Sequence, residues 1–156
     1  MRPTLDTSAL TVREAFPADH RRIERLLEQL LTAFEANDRE VIARLWTGVE
    51  AGVLAHFEAE ETHMIPDLLR RSPRDARGIL AEHQHLRSRL AELGVALDLH
   101  LVRLETARNF VAELRAHAKN EDRVLYRSAD EGLSEAAQQA TVEAVRSAAS
   151  AVTSSS

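Results

Sequence analysis

Residues 42–60 read IARLWTGVEAGVLAHFEAE, which is the most informative helical pattern in the chain. Its apolar residues recur at helical spacing along one stripe, namely Ile42, Leu45, Val49 and Val53. His56 and Glu60 continue that stripe at the same phase, on the side that should pack against the rest of the protein. Because burying an unpaired carboxylate costs several kcal/mol, the stretch predicts a helix whose core face carries a compensated polar site.

Four further segments are predicted to be helical. The first is expected to start at Pro17-Ala18-Asp19, after a short lead, and Asn37-Asp38 ends it. Ser72-Pro73 opens the helix that follows residues 42–60, and the next carries Ala107 to Leu125 and ends by Gly132. Ser134 is predicted to cap an additional, alanine-rich C-terminal helix. Long helices with short connections predict an all-α fold, an antiparallel up-down four-helix bundle. Residues 1–152 are interpreted as a single domain and residues 153–156 as a disordered tail.

The composition excludes several classes of function. The 156 residues include no cysteine, which excludes disulfides, thiolate metal sites and iron–sulfur ligation. The net charge of −5 comes from mixed signs without a basic stripe, so nucleic acid is not expected as a partner. No signal peptide or stretch able to span a bilayer is visible, so a cytoplasmic protein without a membrane partner is expected.

Each of the four main helices places a histidine on its apolar stripe, and two of them add a glutamate one turn later. The six residues are His20, His56, Glu60, His83, His117 and Glu121. A single histidine–acid pair at this spacing is more often a surface contact than a metal site. The height of the residues in the bundle is the sharper test, because residues equidistant from a connecting loop lie level on antiparallel helices. His20 and His56 are equidistant from Asp38, Glu60 and His83 from the Arg71-Ser72 step, and His83 and His117 from His100.

This layer of side chains predicts a metal site. Four imidazoles and two carboxylates without thiolates suit iron best, with manganese or zinc also possible. A glutamate one turn from a histidine is able to reach a second ion, so the pattern favours a dinuclear centre. The alternative is that the six side chains are incidental polar residues of the core.

The motifs resemble those of the hemerythrin-like, HHE cation-binding family over about residues 11 to 130. The matching runs are Asp19-His20, His56-Phe57-Glu58-Ala59-Glu60-Glu61, Glu82-His83 and His117-Ala118-Lys119-Asn120-Glu121. The resemblance implies two non-haem iron ions, one bound by His20 and His56. The other would be bound by His83 and His117. Glu60 and Glu121 would bridge the two irons together with an oxo or hydroxo group.

Two departures separate the chain from the oxygen-carrying members of that family. Those members have a second histidine four residues after the one in the third helix, where this chain has Arg87. Their last carboxylate is an aspartate five residues after its histidine, whereas Glu121 follows His117 by four. The chain looks like the bacterial variant with four histidines and two glutamates, so reversible oxygen carriage is not the expected function.

Three functions remain open on the sequence, and the oligomeric state is also open. The centre is expected to bind or sense O2, NO or peroxide as small ligands. The alternatives are an enzyme that turns over peroxide or another small oxidant, and iron storage or donation. A ferritin-like ferroxidase is a structural rival, because Glu60/His63 and Glu82/His85 have its three-residue spacing.

Several other residues are set aside. His85 is expected to be exposed and His100 to lie in a loop. Trp46, Phe57 and Tyr126 are interpreted as packing or rim residues.

Overall fold

The computed structural model describes residues 11–153, and it confirms the all-helical fold class. The α-helices are α1 Val12–Glu35, α2 Arg39–His63, α3 Ile65–Arg71, α4 Pro73–Asp98, α5 Leu104–Glu121, α6 Arg127–Gly132 and α7 Glu135–Thr153, with a π-helical segment at Asp122–Tyr126. No strand occurs within that range. Among the helices described, none combines the length and the apolarity needed to cross a membrane.

Helices α1, α2, α4 and α5 form the bundle, with α1 packed on α2 and α5, and α4 packed on α2 and α5. Its core has two apolar clusters. One includes Ile23, Val53, Leu86 and Leu114. The other includes Phe16, Ala59, Ile79 and Leu125. Along each helix the predicted polar residues fall between these two clusters, so apolar layers close the polar layer from above and below.

The predicted turns between α1 and α2 and between α4 and α5 are confirmed. The helices that precede them, α1 and α4, end in the same motif. Asn37 and His100 adopt left-handed backbone conformations, with φ of 53° and 57°. At the first turn the amide of Asp38 donates to the carbonyl of Ala33 at 3.1 Å. At the second the amide of Leu101 donates to the carbonyl of Ala96 at 2.9 Å. These are Schellman motifs, which satisfy the last carbonyl groups of a helix.

The predicted start of the first helix at Pro17 is wrong, because α1 begins at Val12 and Pro17 lies inside it. The amide of Thr11 donates to Oε2 of Glu14 at 3.2 Å, which caps the helix before the proline is reached. Val12 and Phe16 are fully buried, so the extra turns are held by packing. Of the predicted lead, Leu10 to Phe16, only Leu10 lies outside the described residues.

The chain after Glu121 also differs from the prediction of one continuous α-helix as far as Gly132. A π-helical segment, Asp122–Tyr126, separates α5 from α6, and both Leu125 and Tyr126 are fully buried there. A π-helical turn contains more residues than an α-helical turn, so it changes the direction in which later side chains point.

The additional C-terminal helix is confirmed as α7, which packs against α1 and α2. The amide of Ala137 donates to Oγ of Ser134 at 3.1 Å, as expected for the predicted cap. Val142 and Val145 bury their side chains in the same apolar cluster as Phe16. Of the predicted disordered tail, Thr153 is the last residue of α7 and residues 154–156 lie outside the described residues.

Candidate metal centre

The structure brings the six predicted polar residues together in one layer of the bundle. Atoms of His20, His56, Glu60 and Glu121 that could bind a metal all lie within 4.8 Å of one another. A second group of the same kind contains His83, His117 and again Glu121. Glu60, His83 and Glu121 are fully inaccessible to solvent, whereas the side chain of His20 is 19% exposed. Two histidine pairs are therefore joined by a shared, buried carboxylate.

Both carboxylates extend from one histidine pair to the other. Oε2 of Glu121 lies 3.6 Å from Nε2 of His20 and 3.7 Å from Nε2 of His56. Its Oε1 lies 3.2 Å from Nε2 of His83 and contacts Nε2 of His117. Oε1 of Glu60 contacts Nε2 of His56, and its Oε2 is 3.8 Å from Nε2 of His83. Each carboxylate thus presents one oxygen atom to each pair, as a group that bridges two cations must.

Two buried atoms at the second pair have no hydrogen-bond partner among the described residues. They are Oε2 of Glu60 and Nε2 of His117. Leaving such an atom unpaired costs about 1–3 kcal/mol, and an ion-binding role is one of the few explanations for it. Nitrogen and oxygen donors arranged around these atoms fit a transition-metal ion, so the residues present pass this test of a metal site.

Three of the histidines are oriented by carboxylates outside the central layer. Nδ1 of His56 lies 2.6 Å from Oδ2 of Asp19, and Nδ1 of His83 lies 2.9 Å from Oε1 of Glu61. Nδ1 of His117 lies 3.0 Å from Oε2 of Glu82. Each carboxylate accepts a hydrogen bond from the Nδ1–H group, which leaves the Nε2 lone pair directed at the centre. This arrangement is typical of histidines that bind a metal.

Each of these outer carboxylates is itself held by a donor. Nε of Arg22 donates to Asp19 at 2.9 Å, and Nδ2 of Asn120 donates to Glu82 at 3.0 Å. Arg87 donates from both terminal nitrogens to Glu61, at 2.6 and 2.9 Å. Asp19, Glu61 and Glu82 lie within the sequence motifs, but helical spacing alone assigns them no role. Their position directly beside a predicted site residue was the available signal, since a short acidic side chain there is able to reach the neighbouring helix.

Arg87 has a second contact near the centre. Its guanidinium carbon lies 5.6 Å from the centroid of the Phe57 ring. That ring stacks on the imidazole of His83, with centroids 4.1 Å apart and planes 12° apart. Phe57 also meets the ring of His117 edge-on at 5.3 Å. Position 87 therefore supplies a positioning residue where an oxygen carrier has a histidine.

Tyr126 is the residue of the centre that the sequence analysis missed. Its hydroxyl donates to Oε2 of Glu121 at 2.8 Å and lies 2.8 Å from Nε2 of His20. It is also 3.0 Å from Nε2 of His56. In an unbroken α-helix a residue five positions after Glu121 would lie about 140° round the axis. The π-helical segment removes most of that rotation and points the phenol into the central layer.

The two central carboxyl groups differ in proton affinity. Burial raises the pKa of Glu60, and the neighbouring charge of Glu121 raises it further, to well above its usual value. Burial also raises the pKa of Glu121, but hydrogen bonds from His20, His56 and His83 outweigh it and hold that pKa well below its usual value. Without a cation, two carboxylates this close favour a state in which one of them keeps a proton.

The imidazoles also differ in proton affinity. Burial lowers the pKa of His20 and of His117, so the neutral form is favoured at both. Burial also lowers the pKa of His56, but the charge of Glu60 and the hydrogen bond to Asp19 carry it well above its ordinary value. A cation bound to Nε2 of His56 would therefore compete with a proton there.

Two histidines that were not assigned to the site, His85 and His100, lie away from the centre. The side chain of His85 is 61% exposed and faces Glu113, so the ferritin-like spacing of Glu82/His85 does not form a site. His100 lies in the connection after α4. Trp46 and Phe57 are buried, which confirms their interpretation as packing residues.

Comparison with known families gives one match. The model of the hemerythrin HHE cation-binding domain matches residues 11–129. A search of curated proteins and a search of solved structures returned no match. The matched range contains all six residues of the central layer, as well as Tyr126 and the three outer carboxylates. The chain therefore belongs to the hemerythrin HHE cation-binding family.

Proposed function

We propose that the chain is a non-haem di-iron protein that binds or senses O2, NO or peroxide. In this proposal His20 and His56 bind one iron ion, and His83 and His117 bind the other. Glu60 and Glu121 bridge the two ions. One observation carries the proposal: two histidine pairs share two buried carboxylates, each with an oxygen directed to either pair. Four protein donor atoms for each ion leave room for a small ligand in an octahedral set.

The surrounding residues determine how such a ligand would be held. A pair of iron ions would supply the electrons and the open coordination positions that these ligands require. Tyr126 offers a hydroxyl beside Glu121 and His20, within a layer shielded by Phe16 and Phe57. Because Tyr126 is fully buried, a hydrogen bond from its hydroxyl is strengthened by the low local dielectric.

Turnover of peroxide is the second candidate function, and Arg87 favours it. The guanidinium is bound to Glu61, does not lose its proton and is not a ligand, so it does not replace the additional histidine of the oxygen carriers. Each ion would then keep an exchangeable position. A centre of this kind is expected to oxidise or to consume peroxide instead of returning oxygen intact. Storage of iron, the third alternative, requires more iron for each chain than the centre accommodates.

The metal content and the absorption spectrum test the proposal. Protein loaded with iron under anaerobic conditions and then exposed to air is expected to hold two ions per chain, one for each histidine pair. Near-ultraviolet absorption without a Soret band should accompany them. A single tightly bound ion, or a haem spectrum, would refute the assignment. Repeated additions of peroxide then separate the candidates: sensing predicts a stoichiometric response, and the enzyme predicts continued consumption.

Two pairs of variants test the assignment of the residues. Glu60→Ala and Glu121→Ala are expected to abolish the dinuclear spectrum, because each carboxylate serves both ions and balances their charge. His85→Ala and His100→Ala remove histidines outside the layer and should leave metal content and spectrum unchanged. Equal losses in all four variants would contradict the assignment.

A further inference from the structure

A pocket next to the centre is much larger than the small ligands of the proposed function require. It opens between α1 and α5, has a volume of about 370 Å³ and reaches the rings of His20, His56 and His117. A water molecule occupies about 30 Å³ in the liquid, and O2, NO and peroxide are of similar size. Sites for small organic molecules commonly start at about 300 Å³. The volume therefore fits an organic ligand beside the metal layer.

The walls of this pocket are apolar. Five side chains form them between the histidines and the mouth: Ile23, Leu27, Val53, Phe57 and Leu114. All five belong to the buried apolar cluster on the side of the metal layer that faces the loop after α1. The half-buried Ala118 adds a small side chain to the lining, which keeps the pocket open on the side of α5. Such walls favour a hydrocarbon group and offer no partner for a polar one.

The mouth of the pocket is positively charged, although the chain carries a net charge of −5. Arg21, Glu24, Arg115 and Lys119 surround it. Nε of Arg115 donates to Oε1 of Glu24 at 2.8 Å, so those two charges neutralise each other across α1 and α5. Within the described residues, Arg21 and Lys119 take part in no ion pair, and both are exposed. Two uncompensated cations therefore stand on opposite helices above an apolar interior.

We propose that this pocket binds a small amphipathic carboxylate. The hydrocarbon part would lie against Leu27, Val53 and Leu114, and the carboxylate would pair with Arg21 and Lys119 at the mouth. The far end of the hydrocarbon would then lie next to the imidazoles of His20, His56 and His117. Binding of the carboxylate itself requires no metal. Only the functional significance of a ligand next to the imidazoles rests on the proposed function.

Calorimetric titration of the metal-free protein with octanoate tests the class of ligand. Saturable binding of octanoate is expected, with octanol binding more weakly and octylamine more weakly still, because only the carboxylate complements the mouth. Lys119→Glu and Arg21→Glu should each weaken octanoate binding several-fold. Arg74→Glu, the same change at an exposed site on α4, should not. Absence of saturable binding, or equal binding of octylamine, would overturn the proposal.

Filling the pocket tests its location. Ala118→Phe should abolish octanoate binding, whereas Ala116→Phe, an exposed position on the same helix outside this pocket, should retain it. Unchanged octanoate affinity in a folded Ala118→Phe variant would overturn the location. If that variant does not fold, the Lys119→Glu and Arg21→Glu variants alone test the location of the site. Iron content is measured in parallel: wild-type protein that loads iron but does not bind octanoate contradicts this inference and leaves the proposed function intact.

Discussion

Tyr126 connects the helix geometry to the chemistry of the centre. Its hydroxyl is buried within 3.0 Å of Glu121, His20 and His56, and a phenol with these partners contributes about 1 kcal/mol to stability. Burial, followed by the charge of Glu121, raises the pKa of Tyr126 well above its ordinary value, so the hydroxyl keeps its proton and acts as a donor. Its role is therefore open to test without changing the size of the side chain.

Tyr126→Phe is expected to retain the bound metal, to shift the near-ultraviolet spectrum of the iron-loaded protein and to lower the free energy of unfolding by about 1 kcal/mol. Trp46→Phe is the control for the spectrum, since it changes a buried aromatic residue outside the centre and should leave the absorption unchanged. Chemical denaturation and absorption spectroscopy check both variants. A Tyr126→Phe protein with the spectrum and stability of the wild type would show that the hydroxyl has no role at the centre.

Arg87 acts on the centre through Glu61, which accepts from both Arg87 and His83. Loss of a partner of this kind lowers metal affinity by about 10- to 100-fold, so Arg87→Met is expected to weaken metal binding to that extent. The control is Arg89→Met, also on α4, which breaks ion pairs with Glu92 and Glu113 at the surface. Competition with a metal chelator measures both. Equal affinities in the two variants would contradict a positioning role for Arg87.

At the scale of the helices, the outer carboxylates link each helix to the next. Asp19 of α1 supports a histidine of α2, Glu61 of α2 supports one of α4, and Glu82 of α4 supports one of α5. Each carboxylate lies beside a residue of the central layer on its own helix. His20 is held differently, by contacts of Nε2 with His56 and Tyr126, and it lines the pocket. Of the three histidines that line the pocket, His56 and His117 are held by an outer carboxylate at Nδ1, whereas among the described residues no such contact occurs at Nδ1 of His20.

The ends of α1 and α4 allow a test of stability away from the centre. His100 adopts φ of 57°, which costs a residue with a side chain roughly 1–2 kcal/mol, less for asparagine. His100→Gly is expected to raise the free energy of unfolding by a few tenths to about 1 kcal/mol, after allowance for the greater entropy of unfolded glycine. Asn37→Gly should gain less, because asparagine tolerates this conformation. Denaturant titration measures the stability of both variants. A loss of stability in His100→Gly would show that the backbone at His100 is not strained.

At the scale of the whole molecule, the buried layer couples metal binding to protonation. Burial and then the charge of Glu121 raise the pKa of Glu60 well above its ordinary value in the metal-free protein. Burial lowers the pKa of His56, but the charge of Glu60 and the hydrogen bond to Asp19 outweigh it and carry that pKa well above its ordinary value. Both groups must release their protons to bind a cation. Metal affinity is therefore expected to fall as the pH falls, and loading should release protons.

Titration with Zn2+ or Mn2+, which avoid oxidation during the measurement, tests this linkage. Calorimetry in buffers of different ionisation enthalpy is expected to show proton release near neutral pH, with a lower affinity at about pH 6 than at about pH 8. His85→Ala should behave as the wild type does, since that histidine is exposed and outside the layer. An affinity that does not change across this range would contradict the protonation state described here.

The sequence by itself determined the helical bundle, its turns and the six residues of the polar layer. Apolar periodicity marks the buried face of each helix, and Asn37 and Ser72 mark helix ends through local backbone chemistry. Polar residues that continue the helical spacing of an apolar stripe are easily recognised in the sequence. The number of residues between each of them and the connecting loop places them at the same height in the bundle. All of these signals depend on spacing along the chain, which is why the sequence was sufficient for them. The roles of the six residues as metal ligands remain a prediction.

Only the tertiary structure decided the residues that support the layer. Asp19, Glu61 and Glu82 reach histidines of neighbouring helices, and such contacts depend on how two helices rotate against each other. Tyr126 enters the centre because a π-helical turn changes the phase of the chain after Glu121, and no α-helical periodicity predicts that change. The pocket between α1 and α5 is likewise a space between elements. These features arise from packing among helices, which spacing within one helix does not determine. The position of the three carboxylates beside residues of the layer was the one signal along the chain.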